Sequence, residues 1–162
     1  MKTYEQFCED IKQRESEGNY ACKNIYGFLG AYQFGKARLC DLGLCTRKDK
    51  TSTSMENSSF MFIPPLSEEI FLADKDLQDQ VFNKHVKALK AQIIYLSEKY
   101  NFQVQGCYKE NPYDLSGCVA AAHLTGPKSV VDLLTAKMKV IKDGFGTDTT
   151  EYLFKFSGYE IP

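Results

Sequence analysis

At 162 residues, 43% of them apolar and 25% charged, the chain has the size and composition of one globular domain with its own core. A formal net charge of −1 supplies no basic field for a nucleic-acid partner. No apolar run reaches the length of a membrane-spanning helix, and the first ten residues carry acids where a signal peptide has its apolar centre. The six cysteines (Cys8, Cys22, Cys40, Cys45, Cys107 and Cys118) permit disulfides, and Cys40 and Cys45 are near enough in sequence to bridge locally. With no Cys-x-x-Cys pair and two His in all, neither a metal site nor a cofactor is expected.

In chain order, Tyr4, Phe7, Cys8 and Ile11 recur at helical spacing, and Glu15 continues their apolar face. A carboxylate on a buried stripe is partly desolvated, which favours its neutral, proton-carrying form and suits a general acid. A buried Glu satisfied by backbone amides or an Arg fits the same spacing equally well. Glu17 points elsewhere, towards solvent. Residues 18–32, rich in Gly, Asn and Tyr, read as a loop of the kind that lines clefts. A short helix is expected over 33–42, with Gly43 as its stop.

Residues 46–59 form the most polar run and read as a surface loop or flap, after which Phe60-Met-Phe-Ile-Pro-Pro returns to the core. Ser67 is an N-cap for a helix through Leu72, and Asp74 caps the longest helix, which runs to about Tyr100. Phe82, Val86, Leu89, Ile93, Leu96 and Tyr100 form its stripe, widened by Val81 and His85, the latter read as structural. Residues 101–112 read as loop, and 115–123 as an Ala-rich helix whose small residues let another helix approach closely. Pro127 suits the first turn of a helix through about Lys137; Asp143-Gly-Phe-Gly is a turn, and Thr147 or Asp148 caps a last helix containing Tyr152, Leu153 and Phe156. The alternation of a sheet is nearly absent, so a mainly α fold is expected.

Four short stretches carry a resemblance. Glu15-Ser16, then Gly30-Ala31-Tyr32-Gln33, resemble the Glu-Ser and Gly-Leu-Met-Gln motifs of soluble lytic transglycosylases and goose-type lysozymes. Ala121-Ala122-His123-Leu124-Thr125-Gly126-Pro127 resembles their Ala-Ala-Tyr-Asn-Ala-Gly-Pro motif, with His123 and Leu124 replacing Tyr and Asn. Thr150-Glu151-Tyr152-Leu153 resembles the closing motif whose Tyr touches the catalytic acid, and Tyr159 is a second candidate for that position. The resemblance implies a single lysozyme-like helical domain over 1–162, with a substrate cleft. It implies a peptidoglycan-degrading glycosidase that cuts the β-1,4 bond between N-acetylmuramic acid and N-acetylglucosamine.

In that family scheme Glu15 donates the proton to the leaving oxygen, Gln33 and Tyr32 bind substrate, and Tyr152 orients the acid. His123 takes over part of the work of the missing Asn. Lytic transglycosylases need one carboxylate and leave anhydro ends, whereas a hydrolase positions a second acid, for which Asp114, Asp143 and Asp148 are the candidates. Each of these also reads as a turn or N-cap residue. Two readings of other classes stay open: an inactive glycan-binding module, and a Cys–His peptidase using Cys22 or Cys118 with His123. A wall-degrading enzyme without a signal peptide acts in the periplasm or at the wall after another export route, by phage lysis or a dedicated secretion machine. As an antibacterial effector, it implies a neutralising immunity protein in the producer.

Overall fold

In a computed structural model, which describes residues 1–135, 137 and 139–162, most helix boundaries follow signals written beside them in the chain. Among the described residues the structure is mainly α: α1 Tyr4–Ser16, α2 Lys36–Asp41, α3 Glu68–Ala73, α4 Lys75–Tyr100, α5 Leu115–Thr125, α6 Pro127–Leu134 and α7 Thr149–Lys155. Ser67 Oγ accepts the Ile70 amide at 3.2 Å and opens α3. Asp74 Oδ1 accepts the Leu77 amide at 2.9 Å and opens α4. Asp114 and Asp148 do the same for α5 and α7, and Pro127 begins α6, where its missing N–H costs nothing. No helix among the described residues is long and apolar enough to cross a membrane.

Four expectations need correction. The helix expected over 33–42 is shortened to α2, because Gln33 adopts φ 53 and Gly35 is extended. The polar run 46–59 is not loop throughout: Cys45–Arg47 (β1) pairs antiparallel with Phe60–Phe62 (β2) in the register Cys45↔Phe62, Thr46↔Met61, Arg47↔Phe60. The stretch 101–112 contains part of a second hairpin, Gly106–Tyr108 (β3) with Asn111–Tyr113 (β4). Its two turn residues, Lys109 and Glu110, sit at φ 45 and 67, the arrangement of a type I′ turn. The usual Asn-Gly signal is missing there, and three-residue strands are too short to show an alternation. The helix expected through Lys137 ends at Leu134, and Ala136 lies outside the described residues.

The chain divides into two compact units, Cys8–His85 and Met1–Phe7 with Val86–Pro162, so the boundary falls inside α1 and inside α4. In the first, Tyr32 stacks on Phe82 with ring centroids 3.9 Å apart, and Phe34 meets His85 edge-on at 5.4 Å. His85 is 3% exposed, and its Nδ1 accepts from Arg38 Nε at 2.8 Å, as suits a structural residue. In the second, Phe7 packs edge-on against Phe156 and Tyr159, and α5 lies against α7.

Close approach of α5 and α7 depends on Gly117. A Cβ there would fall 2.1 Å from Leu153 O and 2.3 Å from Ser157 Oγ. Gly117→Ala would gain roughly 1 kcal/mol of helix propensity. Against that stands overpacking of about 1–3 kcal/mol, and backbone oxygen cannot swing aside as a flexible side chain can. The expected result is a net loss of stability, read as a lower denaturant midpoint at unchanged m-value. A midpoint at or above that of the parent chain would mean that α7 yields freely.

Candidate active site

Glu15 occupies the last turn of α1, on the face where Ile11 is 0% and Phe7 1% exposed. Glu15 is half-buried and Glu17 is exposed, the contrast expected from the spacing. Beyond Ser16 the chain turns through two left-handed residues, Glu17 at φ 55 and Gly18 at φ 76. Their amides return to Gln13 O at 3.2 Å and Lys12 O at 3.1 Å, satisfying carbonyls that the helix end leaves open.

The Gly30-Ala31-Tyr32-Gln33 stretch is the loop of a tight hairpin. Leu29 N donates to Phe34 O at 2.9 Å and Phe34 N to Leu29 O at 2.8 Å, closing its base. Gln33 Nε2 donates to Gly30 O at 2.8 Å, so part of the amide that the resemblance assigns to substrate closes its own loop. Ser16 Oγ donates to Ala31 O at 2.8 Å, which joins the loop to the last turn of α1 beside Glu15. The Glu-Ser and Gly-Ala-Tyr-Gln stretches are therefore in direct contact.

Two residues of α4 that the sequence reading missed hold this arrangement. Gln78, 0% exposed, accepts the Ala31 amide on Oε1 at 2.9 Å and donates from Nε2 to Tyr20 O at 3.0 Å and Phe71 O at 2.9 Å. Asp79 is exposed, and its Oδ1 accepts the hydroxyls of both Tyr20 and Tyr32, each at 2.8 Å. Lys12 Nζ donates to Tyr20 OH at 2.9 Å and pairs with Glu9. Burial of Lys12 works against its charge, but the hydrogen bonds to Glu9 and Tyr20 outweigh it and hold the ammonium above its ordinary range. The Tyr32 hydroxyl is pushed up, first by burial and then by its hydrogen bond to Asp79. Gln78 had a signal in the sequence: it is a polar residue four before Phe82 on an apolar stripe, as Glu15 is four after Ile11.

Tyr32 itself is 1% exposed, with its ring on Phe82 and its hydroxyl on Asp79, so it supports the loop from within the core. The remaining candidates belong to the other unit. His123 is half-buried on α5, and Tyr152 is 2% exposed on α7 with its ring 5.0 Å from Phe156. Asp114 accepts Ser116 N and Gly117 N on Oδ1, and Gly158 N on Oδ2 at 2.8 Å. Asp143 Oδ1 accepts Phe145 N and Thr147 N at 2.9 and 2.8 Å, closing its turn. Asp148 caps α7; burial alone would raise its carboxyl, but hydrogen bonds from Thr150 and the Glu151 amide hold it below the usual range. Among the described residues no disulfide joins any of the six cysteines, so the local Cys40–Cys45 bridge that the spacing permitted is not formed. Cys118 is 0% exposed, and burial pushes its thiol up to about 12, the opposite of an activated nucleophile.

Comparison with protein-family models, with curated proteins and with solved structures finds no match to the chain.

Gly30 is the residue that the loop can least exchange. It sits at φ 78, and an added Cβ would fall 2.1 Å from Gln78 Oε1, whereas Gly18 at φ 76 has nothing within 4 Å. Gly30→Ala is expected to cost roughly 2–4 kcal/mol, the left-handed backbone term plus overpacking, and Gly18→Ala about 1–2 kcal/mol from the backbone alone. Urea unfolding of the two variants side by side measures the difference; equal losses would show that Gln78 moves away without consequence.

Proposed function

We propose that the chain is a lysozyme-like glycosidase of bacterial peptidoglycan, cutting the β-1,4 bond between N-acetylmuramic acid and N-acetylglucosamine with Glu15 as proton donor. The observation that carries this reading is the 2.8 Å hydrogen bond from Ser16 Oγ to Ala31 O, which joins the two motif-like stretches at the half-buried Glu15. Bond breaking needs a proton on the leaving oxygen, and a half-buried carboxyl group on a helical turn, in its protonated form, supplies one and is left as the carboxylate. Gln33 Oε1 is left to accept from a sugar hydroxyl or amide while Nε2 keeps the loop closed. Of the two cysteines in the Cys–His peptidase reading, Cys118 is buried and burial pushes its thiol up, which counts against it as the nucleophile.

A second reading, the lytic transglycosylase that leaves anhydro ends, is favoured by one specific observation. Asp114, Asp143 and Asp148 all accept backbone amides as caps or turn closures, which engages the three carboxylates proposed as the second acid. A route through a single carboxylate needs none of them.

Digestion of purified peptidoglycan tests both readings. The parent chain should release glycan fragments, and Glu15→Gln should lower the rate by at least about 100-fold with the fold intact, because the amide has no proton to give. Glu17→Gln should stay near the parent rate. Near-normal turnover in folded Glu15→Gln removes Glu15 from its role, and no release of glycan by the parent removes the glycosidase. Mass spectrometry of the fragments separates hydrolysed reducing ends from anhydro ends.

A further inference from the structure

Resting on the glycosidase reading, we propose that Asp79 is a positioning residue, whose Oδ1 fixes the Gly30–Gln33 loop relative to the catalytic end of α1. The loop and the chain leaving Glu15 are both irregular; an isolated antiparallel bridge of Lys23 with Leu29, the Gly30 amide on Cys22 O at 2.7 Å and Ser16 Oγ on Ala31 O join their backbones at single points. Tyr20 lies just beyond the end of α1 and Tyr32 lies inside the loop; their hydroxyls meet on one oxygen, each at 2.8 Å. A carboxylate oxygen with two phenol donors fixes the distance between the segments that carry them, and charge-assisted bonds of this kind are the stronger class. Lys12 steadies the Tyr20 hydroxyl from the other side at 2.9 Å, so that hydroxyl accepts from the ammonium and donates to Asp79. Gln78, the preceding residue, acts on the backbone of the same two segments at Tyr20 O and Ala31 N. Asp79 itself is exposed, and by burial alone its removal would be nearly neutral.

The role predicts a separation of turnover from binding. A misplacement of about 1 Å between acid and substrate costs up to roughly 100-fold in rate, so Asp79→Ala should lower kcat at least about tenfold with KM within about threefold. Asp79→Asn keeps an oxygen that accepts both hydroxyls and should return kcat to within about threefold of the parent. Tyr20→Phe with Tyr32→Phe should match the Asp79→Ala loss to within about threefold, and should add little to it when combined, because both changes remove the same two hydrogen bonds to Oδ1 and the Phe pair removes besides them only the Lys12 contact with the Tyr20 hydroxyl. Parent-like kcat in folded Asp79→Ala, an equal loss in Asp79→Asn, or losses that multiply would overturn the proposal. Should Asp79→Ala unfold at the assay temperature, the double Tyr→Phe chain decides, and a parent-like kcat there overturns it too. Glu15→Gln in the same assay separates the two levels. No glycan release by the parent chain removes the glycosidase reading, and activity surviving Glu15→Gln removes Glu15 from its role, whereas a dead Glu15→Gln beside a normal Asp79→Ala removes the positioning role alone.

Discussion

The Gln78 side chain is the constraint on which the unit Cys8–His85 depends. Its amide is 0% exposed and is bonded to three backbone groups, Ala31 N, Tyr20 O and Phe71 O. A buried amide without partners is expensive, so these contacts stand or fall together. Losing the side chain would strand three backbone groups in a dry interior, each at about 1–3 kcal/mol. Gly30 follows from this, because the space a Cβ would need is filled by Gln78 Oε1. The loop and the start of the 18–32 segment thus take their places from α4, and the stacked pair Tyr32–Phe82 adds apolar contact in the same region.

In the other unit the corresponding constraint is Asp114. It caps α5 with Oδ1 and holds the Gly158 amide with Oδ2, while its own amide donates to Ser157 Oγ at 2.9 Å. The start of α5 and the segment after α7 are therefore tied through one residue, with Gly117 permitting the helices to touch. A carboxylate engaged on both oxygens is poorly free to activate water. This is a physical reason to separate acids that organise the backbone from an acid that performs chemistry, even where all lie in turns or at helix ends.

The chemistry proposed for Glu15 depends on a helix end more than on a pocket. Its turn is closed by two left-handed residues that return amides to the open carbonyls, and the neighbouring Ser16 joins the loop. A proton donor built this way is held by its backbone, so little reorganisation is needed when charge develops. Gln33 contributes to the same economy of motion by closing its loop with one end of its amide.

Local signals determined what the sequence alone could determine. As openers of helices, Ser67, Asp74, Asp114, Pro127 and Asp148 each work within four residues of themselves, so they mark helix starts wherever the chain goes. The apolar stripes of α1 and α4 are equally local, and they brought Glu15 and its half-buried position into view. Tertiary structure alone decided the rest. The short hairpins have no readable alternation, and Lys109-Glu110 takes a turn geometry that its residue types do not advertise. The bonds from Asp79 to Tyr32 and to Tyr20 cross 47 and 59 positions of sequence. Their energy depends on where distant segments come to rest, which no one-dimensional pattern around the exposed Asp79 carries; only its buried neighbour Gln78 stands out, as a polar residue on an apolar stripe.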